Sequence, residues 1–127
     1  MIDFPAFVRA CGAPYCDVSN NCFVTAAAAF PSSDKVEALC RWWDDLPADY
    51  RVRLSKGEEH VDLETLALRF GFTRAFEATG REIGSFQQLK CAPPIFVVGA
   101  FGKWYARGKR GAVRIPSHIP VKAWSVV

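Results

Sequence analysis

The chain is predicted to be an α+β protein, on three observations. Helical periodicity fills residues 1–71, short apolar runs broken by glycine and proline fill residues 72–127, and Gly71 marks the change. At 127 residues, half of them apolar, this is the length of a single domain, burying roughly two-thirds of its unfolded surface. Neither a repeat nor a low-complexity tract divides it. The helical part, 1–71, is therefore expected to pack on the strand-rich part, 72–127.

Element by element, Phe4, Phe7 and Val8 follow Pro5 at helical spacing and predict a short first helix. A turn-rich stretch, CGAPYCDVSNN, leads to Ser19 or Asn20 as the cap of a second helix over 22–30 (CFVTAAAAF). That helix is nearly all apolar, so it must be buried on most sides, and Pro31 stops it. Asp34 and Glu37 have capping-box spacing, and Val36, Leu39, Cys40 and Trp43 form one face of a third helix ended by Pro47. Residues 47–60 read as a polar connection with one helical turn around 50–54. Asp62 caps the next helix, with Leu63, Leu66, Ala67 and Phe70 as its stripe and Gly71 as its stop. Strands are expected over 72–78, 83–89, 95–98, 103–107, 112–115 and 121–126, with the continuously apolar 95–98 central. Alternation puts Trp104 with Ala106, and Val113 with Ile115, on buried faces.

Charge and composition exclude several classes. A net charge of +3 with 23% charged residues fits neither a disordered chain nor a dedicated nucleic-acid binder. No apolar run is long enough to span a membrane, and the opening MIDFPAFVRACG lacks the basic lead of a secretory signal. The odd cysteine count (Cys11, Cys16, Cys22, Cys40 and Cys91) argues against a disulfide framework. Only Cys11 and Cys16 approach a metal-ligand spacing, so no metal and no cofactor are expected.

Cys22 stands apart. It opens an apolar helix directly after a polar capping turn, where the helix dipole favours a thiolate. With the segments SNNCFVTAAAAF, PPIFVVG, GAVRIP and VKAWSVV following in order, the chain resembles the small NlpC-type branch of the papain-like fold. The resemblance is nearest to NlpC-like proteins of tailed phages and prophages, and it spans roughly residues 15 to 127. It implies helices packed on a small antiparallel sheet or partly open barrel, with Cys22 at the nucleophile's place.

The same resemblance puts the catalytic histidine's place at Pro93, its orienting partner near Tyr105, and the aspartate before the cysteine at Asn21. Proline cannot act as a base. His60, beside Glu58 and Glu59, and His118, among prolines, lie away from the matched position and read as solvated loop residues. Cys22 is then a vestigial nucleophile. The expected function is a degenerate, non-catalytic binding module, a structural component of a bacteriophage tail tip or baseplate. Its partners would be the hub and neighbouring tail-tip subunits, and its place the virion, after assembly in the host cytoplasm. Two alternatives stay open: a working cysteine peptidase or amidase on cell-wall peptides using Cys22, and a small cytoplasmic regulator that binds a host protein.

Interface candidates are few. With Trp43 on the core stripe, Trp42 is left partly exposed, as aromatics at interfaces often are. Arg107, Lys109 and Arg110 make a basic turn beside Phe101, Trp104 and Tyr105. Strand alternation already accounts for those aromatics, so the turn reads first as a solvated hairpin.

Overall fold

A computed structural model describes residues 1–17, 19–88 and 93–127. It is α+β, with five helices and one six-stranded sheet among these residues: α1 (Phe4–Gly12), α2 (Cys22–Ala27), α3 (Asp34–Asp45), α4 (Ala48–Ser55), α5 (Leu63–Arg69), β1 (Thr73–Ala75), β2 (Glu82–Phe86), β3 (Ile95–Ala100), β4 (Lys103–Gly108), β5 (Gly111–Arg114) and β6 (Lys122–Ser125). Every pairing is antiparallel, in the order β1-β6-β2-β3-β4-β5, so β2 and β3 are central and the sheet is open at two edges. Cys91 and the expected strand end at Leu89 lie outside the described residues.

Four of the five helices start where a side chain satisfies an orphan amide; α4 starts after Pro47 without one. Asp3 accepts from Ala6 N–H at 3.0 Å and Asp62 from Glu64 and Thr65 N–H at 3.1 and 3.3 Å. Two caps differ from expectation. Asn21, not Ser19 or Asn20, caps α2, and Ser33, not Asp34, caps α3; the Ser33 hydroxyl also donates to the Val126 carbonyl at 2.8 Å. Ser33 thus reaches both its own helix and the chain just after β6.

α2 stops at Ala27 rather than Phe30. Pro31 bars the helical conformation just before it, and the Ala29 carbonyl instead accepts the Asp3 amide at 2.7 Å. With Ile2 N–H on the Gly80 carbonyl, also at 2.7 Å, this fastens the N-terminal segment to the domain. The expected single turn near 50–54 is two turns of helix, α4, held on its exposed side by Asp49 and Arg53 at 2.8 Å.

The helices cover one sheet face. Phe7, Phe23, Ala26, Phe30, Val36, Leu39 and Trp43 bury against Ile83, Val98 and Trp124. At about 1.5–3 kcal/mol per large side chain, this layer carries most of the stability. The other face is smaller, with Val97, Ala106 and Ile115 under Phe86, Ile95, Trp104, Ile119 and Val121. Val113 was expected inside but is 45% exposed, because β5 is an edge strand with no neighbour beyond it. The 76–81 connection is closed by Glu82, whose buried carboxylate accepts the amides of Thr79, Gly80 and Arg81 at 2.7, 3.2 and 3.2 Å. Gly99 lies against it, and a Cβ there would stand 2.7 Å from that carboxylate.

Candidate functional site

Where α2 begins, the helical layer parts from the strand ends and leaves a cleft of about 750 Å³, within the range of small-molecule and peptide sites. Phe23, Trp43, Leu54, Leu66, Phe96 and Trp124 give it an apolar lining, while Glu59, His60, Asp62, Glu64, Arg74 and Lys122 bring charge and polarity to it. Cys22 lines it, and so do Pro93 and Pro94.

The turn that presents Cys22 is tightly built. Asn21 is 3% exposed and uses every polar group it has. Its Oδ1 accepts Val24 N–H at 2.9 Å, and its Nδ2 donates to the Asp17 carbonyl and to Ser55 Oγ, each at 2.9 Å. Ser55 in turn donates to the Asp17 carbonyl at 2.7 Å. An aspartate here would keep the cap but could not donate those two bonds, and that is the physical content of finding asparagine.

The Cys22 thiol faces the carbonyl oxygen of Pro94 at 3.9 Å. Burial pushes its pKa up from the ordinary 9.0. The amides of Phe96, Phe23 and Cys22 and the Arg107 charge pull it down, but burial outweighs them. The Pro94 carbonyl faces the sulfur, Pro93 and Pro94 line the cleft, and Pro93 is packed in turn against Gly57. At φ +77°, Gly57 comes so close that a Cβ would lie 2.9 Å from Pro93 Cδ.

His60 lines the same cleft and is exposed on its rim; His118 is exposed outside the lining. Tyr105, at the expected orienter's place, packs edge-on against Phe4 with ring centroids 4.9 Å apart. It belongs to the core rather than to the cleft. Among the described residues no three His, Cys, Asp or Glu side chains group to hold a metal, and no helix is long and apolar enough to cross a membrane.

Trp42 is half-buried and lines the cleft, so the partly exposed tryptophan predicted from the helix pattern opens onto this site. Arg107 is engaged internally: its guanidinium donates to the carbonyls of Ala10 (2.8 Å) and Ala13 and to Thr25 Oγ1 (3.3 Å), and lies over Tyr15. It ties β4 to the end of α1 and to α2. Lys109 and Arg110 stay exposed at the β4–β5 turn.

What the sequence did not announce is the opposite wall. Trp43, Trp124 and residues 59–64 meet Cys22 only through the fold, and no local motif joins them. Comparison with protein-family models, with curated proteins and with solved structures finds no match.

Proposed function

We propose that this is an NlpC-like domain of the papain-like fold that no longer cuts its substrate and works as a protein–protein binding module in the tail tip or baseplate of a tailed bacteriophage. The observation that carries the non-catalytic part is the Cys22 thiol set against the Pro94 carbonyl, with Pro93 beside it. General-base activation needs a titratable group within hydrogen-bond reach of the sulfur, and proline offers none. An aromatic-floored cleft that remains after loss of the base is suited to holding a partner segment. The phage assignment is supported by the ordered likeness of SNNCFVTAAAAF, PPIFVVG and VKAWSVV to the NlpC-like tail proteins.

Mass spectrometry of purified particles tests it, paired with co-purification of the tagged domain with the tail proteins encoded beside it. The reading expects the chain in the tail fraction and a stable complex with the hub or a neighbouring subunit. Absence from particles, together with failure to bind any of those proteins, contradicts it.

A second reading draws on one observation: His60 lines the cleft that holds Cys22. A working peptidase or amidase would bring that imidazole to the sulfur when substrate closes the cleft. It requires hydrolysis of cell-wall peptides that is abolished by both Cys22→Ser and His60→Ala.

A further inference from the structure

Charge is divided unevenly along this chain. Residues 83–127 hold seven of the sixteen cations and none of the thirteen carboxylates, while residues 58–64 (EEHVDLE) hold four carboxylates and no cation. The fold sets these two stretches apart. The acidic stretch runs along the cleft beside β6, where Lys122 reaches Glu64 at 3.4 Å. The densest basic stretch is the turn between β4 and the edge strand β5.

The cations already at the cleft are engaged. Lys122 is answered by Glu64, and Arg74 donates to the carbonyls of Ala75 and Ala123 at 2.9 and 2.6 Å. Glu59 and Asp62 line the cleft and are exposed, with exposed Glu58 preceding them; Asp62 also caps α5, and Glu59 pairs with exposed Arg53 at 3.7 Å. Trp42, half-buried, lines the same cleft as Glu59 and Asp62, and an aromatic ring with carboxylates is the combination that attracts an ammonium or guanidinium. At the edge strand β5, Lys109 and Arg110 project from a two-residue turn and, among the described residues, make no hydrogen bond or ion pair, unlike Arg107.

We propose that the domain associates head to tail with copies of itself, Lys109 and Arg110 of one copy seated on the Glu58–Glu59–Asp62 rim of the next, over its Trp42. The two surfaces are different, one at the cleft and one at the β4–β5 turn, so the contact is heterologous and repeats into a ring or a filament. This goes beyond the binding-module reading and does not depend on it, since it concerns only this chain's own two surfaces.

Sedimentation velocity of the full chain, from micromolar to submillimolar concentration, tests it. Runs are made at about 10 mM and about 1 M salt, where the screening length falls from about 30 to about 3 Å. The wild type is expected to associate at low salt, and at least about tenfold more weakly at high salt. Lys109→Glu/Arg110→Glu and Glu58→Lys/Glu59→Lys are each expected to be monomeric, because tip and rim then carry the same sign. An equimolar mixture of the two variants restores opposite signs at every contact and is expected to associate again. Thermal unfolding of each variant within a few degrees of wild type shows that the fold is kept. A wild type that stays monomeric at low salt overturns the proposal, as does association insensitive to both reversals, or a mixture that fails to associate.

Discussion

Cys22 Sγ and the Pro94 carbonyl oxygen lie 3.9 Å apart across the cleft, a thiol facing an acceptor instead of a base. A thiolate there would meet carbonyl lone pairs. The helix start remains, but its electrostatic help is spent against burial.

The buried thiols predict an alkaline weakness. Cys11, Cys22 and Cys40 all have pKa values raised above 9.0, in each case chiefly by burial, with Asp44 and Glu37 adding to the rise at Cys40. Above pH 9 the unfolded chain releases protons that the folded chain keeps, so the stability these groups supply is complete below pH 9 and is lost as pH rises. Urea unfolding from pH 7 to pH 10.5 should show a falling midpoint above pH 9, and Cys22→Ala should flatten that fall. A midpoint independent of pH across this range contradicts it.

Arg107 acts as a strut, not a contact surface. Arg107→Ala leaves the carbonyls of Ala10 and Ala13 without their charged donor and is expected to cost about 2–4 kcal/mol in urea unfolding. Lys109→Ala, fully at the surface, should change stability by less than about 0.5 kcal/mol. Equal, small effects from both would mean that Arg107 is solvated as Lys109 is.

Asn21 sets the turn that carries Cys22. Asn21→Ala should cost about 1–3 kcal/mol, from the lost cap and the lost bonds to the Asp17 carbonyl and Ser55 Oγ. Asn21→Asp retains the cap but places a carboxylate against the oxygens of Asp17 and Ser55. That variant should therefore be weaker than wild type at pH 7 and recover part of the difference at pH 4, where the carboxyl is protonated and donates again. A difference that is the same at both pH values would show that Asn21 donates nothing of consequence.

Much of this fold is legible because its elements carry their own local signals. The Val36–Leu39–Trp43 stripe, the Asp62 cap with Gly71 at φ +77°, and all six strand positions follow from periodicity and turn residues. The departures arise where tertiary partners decide. Ser33 caps α3 and also reaches Val126, the stretch after α2 is held by Asp3 on the Ala29 carbonyl once Pro31 ends the helix, and Val113 is exposed because β5 has one neighbour only among the described residues. Cys22, Pro93 and Trp42 all line the cleft, and each was singled out in the sequence. The acidic wall and Trp124 were not, since 59–64 and 124 converge on Cys22 from distant parts of the chain with no spacing to reveal it.

The measurement that bears most directly on the non-catalytic reading is the rate at which Cys22 alkylates with iodoacetamide from pH 5 to 10, followed by mass spectrometry of the Cys22 peptide beside a Cys22→Ser control. The account predicts a rate below that of a free thiol, still rising at pH 9 and unchanged by His60→Ala. A plateau reached well below the ~8.5 of a free thiol, and lost in His60→Ala, would show a poised thiolate–imidazolium pair and contradict it.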